Sequence, residues 1–313
     1  MDDVHFTSVP SPNLEYYIPK PFPPPESRFE IYLKAPMPRP ILDKARLHPV
    51  SSSTLIRLGP PEDGGYVVPR EVIGQTRLLL SLGLSDNWDF DREFLRLNPE
   101  VAIIGVDHTV GPEKFRRGQF RCLWKILGYG LLFRKKKLAE YTKRYQDYRD
   151  YARFFSAPHR HLQRRVSHES REPVDIRFEG ILKHGPTEGV HDVFLKMDIE
   201  GSEYEVVDDI LAHQSRISCI ATEFHELPTR TAEFNEAVGR LLREFVIVHV
   251  HGNNCGPYHS DLDFPETLEL TFLNRRLAGN SPAPSTANYP IAGLDFPNNP
   301  KRPDYPLRFG AAT

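Results

Sequence analysis

The chain predicts an α/β domain built on a mostly parallel, Rossmann-like sheet, and three observations carry that expectation. Apolar runs of strand length alternate with helix-spaced apolar patterns between residues 51 and 273. One run, residues 193–197, is apolar throughout its core and bounded by charge, the pattern of a strand buried on both faces of a parallel sheet. The segment after it, Asp198-Ile199-Glu200-Gly201-Ser202-Glu203, passes through acidic residues and a glycine into a helical pattern. In open α/β sheets ligands lie outside the carboxyl ends of the strands, which is where this acidic turn falls.

The elements follow in chain order. Residues 1–50 are proline-rich, with the run Pro21-Phe22-Pro23-Pro24-Pro25, and form an arm that cannot be a regular helix or a central strand. Residues 55–58 and 66–68 flank a turn-rich link at 59–65 and read as a hairpin. Residues 78–82 and 101–106 are strands; between them Asp86 or Asn87 caps a helix that presents Phe90, Phe94 and Leu97. The connection from 107 to 192 is too long for an ordinary crossover and predicts an insertion at about 112–171. From Lys114 to Arg171 it holds seventeen Lys or Arg against four Asp or Glu, including Arg134-Lys135-Lys136-Lys137, and residues 124–133 have an amphipathic flavour. It reads either as a cap that attracts an anionic substrate or a membrane surface, or as a solvated helical cover.

Beyond the acidic turn, Ser202 and Glu205 have the spacing of a capping box for a helix with Tyr204, Val207, Ile210 and Leu211 on its apolar side. Strands follow at 217–221, 245–250 and 268–273, with a helix bearing Ala237, Val238, Leu241 and Leu242 between the first two. Residues 274–313 form a proline- and asparagine-rich tail that wraps the domain or dangles. Residues 51–273 are thus the folded domain, with an arm at each end.

Bulk properties narrow the class. With 313 residues and 39% hydrophobic content the chain can bury a large core. A net charge of -2 gives no global sign of a nucleic-acid or membrane protein. Cys122, Cys219 and Cys255 are odd in number and lack C-x-x-C spacing, which argues against a disulfide framework and a structural zinc. No basic leader followed by an apolar core and no run of eighteen apolar residues is present, so the sequence predicts a soluble, cytoplasmic protein.

The candidate chemistry lies at strand ends. The segment Ser81-Leu82-Gly83-Leu84-Ser85 leaves the strand at 78–82 and opens a helix, where backbone amides can receive a cofactor's polar groups. Asp107 ends the next strand 24 residues after Gly83, about where a Rossmann-like sheet places an acid for the ribose hydroxyls. Leu84 and Ser85 interrupt the G-x-G-x-x-G turn that a nicotinamide dinucleotide needs. A cofactor without a pyrophosphate, such as S-adenosylmethionine, tolerates this loop.

Leu195-Lys196-Met197-Asp198-Ile199-Glu200-Gly201-Ser202-Glu203 resembles the signature of FkbM-type S-adenosylmethionine-dependent methyltransferases. Arg57-Leu58-Gly59, Asp63-Gly64-Gly65-Tyr66-Val67, Ser81-Leu82-Gly83, Glu223-Phe224-His225, residues 249–254 and residues 269–272 extend the likeness over roughly 54–273. The resemblance implies a class I methyltransferase fold, in which six parallel strands and one antiparallel strand make a seven-stranded sheet with helices on both faces. It also implies that Gly83, Asp107 and Asp198 face the cofactor and that oxygen is the methyl acceptor. The cofactor set expected is Ser81, Gly83, Ser85, Asp107, Asp198 and Glu200. The single glycine after the first strand and the basic insertion depart from the family pattern.

Methyl transfer to a hydroxyl is a displacement whose catalysis is positioning plus removal of a proton. The expected catalytic residues are His225 or His251 as base, with Glu223 and Asp198 orienting acceptor and donor. Asp198, Glu223, His225 and Asn253 could instead surround Mg²⁺, although nothing in their spacing requires it and no metal is assigned. The partner expected is a small-molecule or sugar-like acceptor, with no specific nucleic acid. Two other functions fit less of the sequence: an NAD-dependent oxidoreductase on a similar sheet, and a non-catalytic module that docks anionic lipid or nucleic acid through the basic segment.

Overall fold

A hairpin leads the chain into its sheet. The computed structural model describes residues 40–52, 54–169, 171, 173–186, 192–279 and 282–309, so most of the proline-rich arm, residues 1–39, lies outside the described residues. Strands β1 (Leu55–Leu58) and β2 (Tyr66–Pro69) pair antiparallel, and α1 (Arg70–Ile73) turns the chain into β3 (Leu78–Leu82). Helix α2 (Asp89–Leu97) carries it to β4 (Ala102–Val106). Two twenty-residue helices follow, α3 (Pro112–Leu131) and α4 (Lys135–Phe154), then the short strands β5 (Arg160–Leu162), β6 (Arg165–Val166) and β7 (Asp175–Ile176) and helix α5 (Phe178–Leu182). The second half runs through β8 (Val193–Met197), α6 (Val207–Ala212), β9 (Ile217–Phe224), α7 (Thr231–Leu241), β10 (Phe245–His259), β11 (Phe264–Asn274) and α8 (Arg275–Ala278).

The main sheet has seven strands in the order β10-β11-β9-β8-β3-β4-β5. Its pairs from β9 through β5 are parallel, while β11 lies antiparallel between β9 and β10. This is the sheet of six parallel strands and one antiparallel strand expected of a Rossmann-like methyltransferase. The chain builds outward from β3 through β4 to β5, then returns to β8 on the other side of β3. The topological switch point therefore lies between β3 and β8, where open α/β sheets bind ligands.

Alternation along the strands sorts the core into two layers. Leu78, Leu80, Leu82, Val193, Leu195 and Met197 point to the face covered by α5, α6 and α7. Leu79, Ile103 and Phe194 point to the opposite face, against Phe90 and Phe94 of α2. The Phe94 and Phe194 rings meet edge to face with centroids 5.0 Å apart. Removing such a buried ring costs about 3–5 kcal/mol.

Two local expectations change. The stretch 112–171 is not wholly an excursion: β5 within it forms an edge of the main sheet. Its sequence, Arg160-His161-Leu162, is short and polar as edge strands often are, so it carries no apolar run to betray it. The excursion is the antiparallel hairpin of α3 and α4. The capping box at Ser202 and Glu205 also does not form. Residues Glu203–Val206 make a 3-10 turn before α6, and the Ser202 side chain caps nothing. The Glu203 carboxylate instead accepts the amides of Ile199 and Gly201, which removes the need for a serine cap.

The described part of the tail is tied to the domain. Val50 bridges Pro284, Tyr289 bridges Leu307, and Asp295 and Asp304 pair with His249 and His251 of β10.

Candidate active site

The carboxyl ends of β3, β4 and β8 are laced together before any side chain enters. The Gly83 amide donates to Val106 O (2.9 Å) and the Asp198 amide to Leu82 O (2.9 Å). Gly83 takes φ +78°, and a Cβ there would lie 1.6 Å from the Asp198 carbonyl oxygen. Only glycine lets the two strand ends approach this closely. Between them opens a cavity of about 310 Å³, within the size range of small-molecule sites, with Gly83, Ser85, Asp107, Thr109, Asp198 and Glu200 on its walls. Residues 164–166 also line it.

Asp107 is held as an anion. Its Oδ2 accepts from the Ser85 amide (2.7 Å), and Oδ1 accepts from the Thr109 amide and hydroxyl (2.6 Å each). Burial pushes its pKa up, but the hydrogen bonds from Thr109 and Ser85 outweigh burial and hold it below the usual carboxylate range. Asp198 goes the other way: burial lifts it to about 6 against the pull of Lys196 and His225. Lys196 donates to Gly83 O (3.2 Å), and its ammonium lies 5.5 Å from the Tyr66 ring centroid. Glu200 sits at φ +55°, an uncommon conformation for a residue with a side chain, which turns the loop at the cavity wall.

Beside the cavity, Glu203 and His225 form a pair. Glu203 is fully buried, and its carboxylate accepts from Ile199 N, Gly201 N and His225 Nδ1 (3.1 Å). His225 Nε2 faces Asp198 (3.8 Å) and Glu200 (3.6 Å). Burial lowers the imidazole's pKa; the hydrogen bond and charge of Glu203, with Asp198 and Glu200, more than reverse this and raise it. Tyr204 fixes the backbone by donating from its hydroxyl to His225 O (2.6 Å), and Arg230 lies over the Tyr204 ring while donating to Gly201 O.

Glu223 and His251 occupy a different, buried polar layer. Asn253 donates to Glu223 Oε1 (2.6 Å), while burial and the neighbouring carboxylates Asp198, Glu269 and Asp63 raise the Glu223 carboxyl well above its usual range. The Tyr66 hydroxyl is buried under the influence of the same four acids and has no hydrogen-bond partner among the described residues. His251 lies between two carboxylates: Nδ1 donates to Glu269 (3.1 Å) and Nε2 to Asp304 of the tail (3.0 Å). Burial opposes its charge, but Glu269 and Asp304 raise its pKa to about 10.

Of the residues expected from sequence, Gly83, Ser85, Asp107, Asp198 and Glu200 meet on one cavity, and His225 stands at its edge. Ser81 does not reach it. Its hydroxyl points to the opposite sheet face and lies 3.3 Å from Asp91 of α2. His251 is likewise away from the cavity walls, and both its nitrogens are engaged. The four residues considered for Mg²⁺ do not gather. Asp198 and His225 have ligand atoms within 4.8 Å of Glu203, while Glu223 bonds Asn253. Glu203 already accepts two amides and an imidazole, which accounts for its burial without a cation. Glu203, Thr109 and Tyr66 were not anticipated. Glu203 and Tyr66 stand in the sequence only as members of the motifs at 195–203 and 63–67, with no role attached, and Thr109 stands in neither.

Residues 133–255 match the model of the methyltransferase FkbM domain. The match runs from the tip of the helical hairpin into β10, so it includes the acidic turn, Glu203 and His225 but not Gly83 or Asp107. No curated protein matches the chain. Among solved structures, a precorrin-6y C5,15-methyltransferase from Geobacter metallireducens GS-15 aligns over 66% of this chain and 88% of its own, at 14% identity and a TM-score of 0.29, too slight a likeness to carry an argument. The acidic turn that first marked the sequence thus falls inside the stretch that is similar to the methyltransferase FkbM domain, at the switch point of a seven-stranded sheet with six parallel strands and one antiparallel strand.

Proposed function

We propose that this methyltransferase uses S-adenosylmethionine and delivers the methyl group to a hydroxyl of a small, polar acceptor, with His225 as the base. The observation that carries the reading is the meeting of Gly83, Asp107 and Asp198 on one cavity at the switch point. The residues suit the cofactor. Asp107 is anionic with a lone pair left on Oδ2 for a ribose hydroxyl. The carboxylates of Asp198 and Glu200 complement a cationic ligand. When bound, S-adenosylmethionine would supply a sulfonium methyl whose carbon an oxygen nucleophile attacks in line, with S-adenosylhomocysteine as the leaving group.

The chain's own work is then to hold an acceptor and take its proton. Glu203 accepts from His225 Nδ1, which leaves Nε2 as the basic nitrogen on the side of Asp198 and Glu200. A hydroxyl placed against Nε2 loses its proton there as the carbon–oxygen bond forms. His251 is unsuited to this task, because a doubly bonded imidazolium with a pKa of about 10 has no lone pair to offer at neutral pH.

Titration calorimetry with S-adenosylmethionine, S-adenosylhomocysteine and NAD tests the cofactor. Saturable binding of the first two, lost in Asp107→Ala and absent with NAD, is the expected result. Tight NAD binding with none of S-adenosylmethionine overturns the reading.

A further inference from the structure

The α3–α4 hairpin carries an apolar surface that the other described residues leave uncovered. The inner face of α3 is accounted for: Phe115 packs 4.1 Å from the Tyr151 ring, Cys122 is buried, and Tyr129 lies 5.4 Å from Tyr141, all against α4. Its outer face is not. Phe120, Leu123, Trp124, Leu127 and Leu131 recur at spacings of three and four residues, which puts them in one stripe, and all five are exposed. Trp124 is 73% exposed and Leu131 81%. The stripe continues over the hairpin tip into Leu132 and Phe133, the latter 88% exposed. Phe133 holds φ +50°, a conformation for which glycine or asparagine is the inexpensive choice. A large apolar ring is therefore kept in water on a costly backbone.

Charge frames this stripe. Arg117, Arg121 and Lys125, four residues apart, form a row along its flank, and Arg134-Lys135-Lys136-Lys137 follow the tip. Residues 112–154 hold thirteen Lys and Arg against four Asp and Glu, an excess of nine positive charges in a chain whose net charge is -2. Apolar residues flanked by Lys and Arg on the solvent face of a helix match an anionic bilayer surface, with side chains entering the acyl boundary and cations meeting the phosphates. A nucleic-acid groove would satisfy the cations but bury none of the leucines in an apolar medium. Pairing two copies through this face would set two strongly positive hairpins against each other.

We infer that the α3–α4 hairpin is a membrane-surface anchor whose apolar stripe from Phe120 to Phe133 inserts into the interface of an anionic lipid bilayer. The chain's two tryptophans make this testable without altering the fold. Trp88 is buried, so a change in emission on adding vesicles reports on Trp124. With vesicles of phosphatidylglycerol and phosphatidylcholine in equal parts, the full chain should sediment with the lipid and its emission should shift to the blue. Vesicles of phosphatidylcholine alone should bind it about tenfold more weakly or less. The blue shift should vanish in Trp124→Ala, and Leu131→Ser with Phe133→Asn should lower partitioning about tenfold or more. These positions are exposed and asparagine suits the backbone at 133, so an unchanged far-ultraviolet circular dichroism spectrum is expected alongside. Failure to sediment, or sedimentation without a blue shift that salt fully reverses, overturns the inference. So does a dimer in sedimentation equilibrium that Leu131→Ser with Phe133→Asn dissolves while the wild-type chain ignores vesicles, which would assign the stripe to a second copy.

Discussion

His225 and His251 sit on either side of β11's register, each beside carboxylates, and their environments assign them opposite tasks. His225 follows β9, gives Nδ1 to Glu203 and leaves Nε2 at the cavity edge. His251 lies within β10 and spends both nitrogens on Glu269 and Asp304. A histidine that one carboxylate orients keeps a lone pair to use; one that two carboxylates clamp becomes a buried cation. Burial alone does not separate them, since desolvation opposes the charge of both. The number of ring nitrogens tied up in hydrogen bonds does: one in His225, whose Nε2 has carboxylates only at 3.6 and 3.8 Å, and both in His251.

The largest expected effect breaks the catalytic half of this contrast. His225→Ala should lower kcat by roughly 10²–10⁴-fold, the usual worth of a positioned base, while calorimetry finds S-adenosylhomocysteine affinity nearly unchanged. S-adenosylhomocysteine release with a turned-over acceptor provides the readout. A loss below tenfold returns the base to some other group. His251→Ala should instead act on folding, costing about 3–5 kcal/mol in urea unfolding because it strands Glu269 and Asp304 as buried carboxylates without their partner. The pH dependence has a defined sign. The folded pKa of about 10 lies above the ordinary histidine value near 6.5, so this stabilisation is complete below about pH 6.5 and is lost as pH rises through about 10. Stability that stays flat across that window argues that His251 is neutral in the folded chain.

How much of this was legible beforehand follows the same divide between local pattern and long-range contact. The runs at 78–82, 101–106, 193–197, 217–221, 245–250 and 268–273 announced six strands of the main sheet because strands covered on both faces, the antiparallel β11 included, must be apolar. The seventh, β5, is an edge strand with two polar residues in three and could not announce itself. Gly83, Asp107 and Asp198 were legible because strand ends and glycine turns are local features. His225 and His251 looked equivalent in sequence because their carboxylates come from elsewhere: Asp304 arrives 53 residues after His251 from a tail with no periodicity. Ser81 looked like a loop residue of the site, yet strand alternation turns it to the face of α2, one position before the chain bends.

A finer test bears on what orients His225. Glu203→Gln keeps the shape of the side chain but removes the charge, and loss of an opposite charge in contact moves a pKa by about 1–3 units. Because Glu203 raises the His225 pKa, the acid limb of the rate profile should move to lower pH in the variant, with the chain otherwise folded. A limb that does not move means that the titrating base is not in contact with Glu203. Since Glu203 also accepts the amides of Ile199 and Gly201, a fall in kcat without a shifted limb would point to a displaced loop rather than to an altered base.

The smallest effect concerns Asp198, whose sign is opposite to that of a stabilising carboxylate. Burial raises it from 3.8 to about 6 in spite of Lys196 and His225. Between those values the folded chain keeps a proton that the unfolded chain has released, so this group lowers stability as pH rises from about 4 to 6 and stays unfavourable above. Asp198→Asn should therefore raise stability at pH 7 by about 1–2 kcal/mol in urea unfolding and flatten its pH dependence below pH 6. The same variant should bind S-adenosylmethionine more weakly, because the anion facing the cavity is gone. Gain in one measurement and loss in the other is the mark of a charge kept for a ligand at the expense of the fold. If Asp198→Asn weakens both, the carboxylate serves the turn between β8 and α6, and the cationic end of the ligand must be met by Glu200.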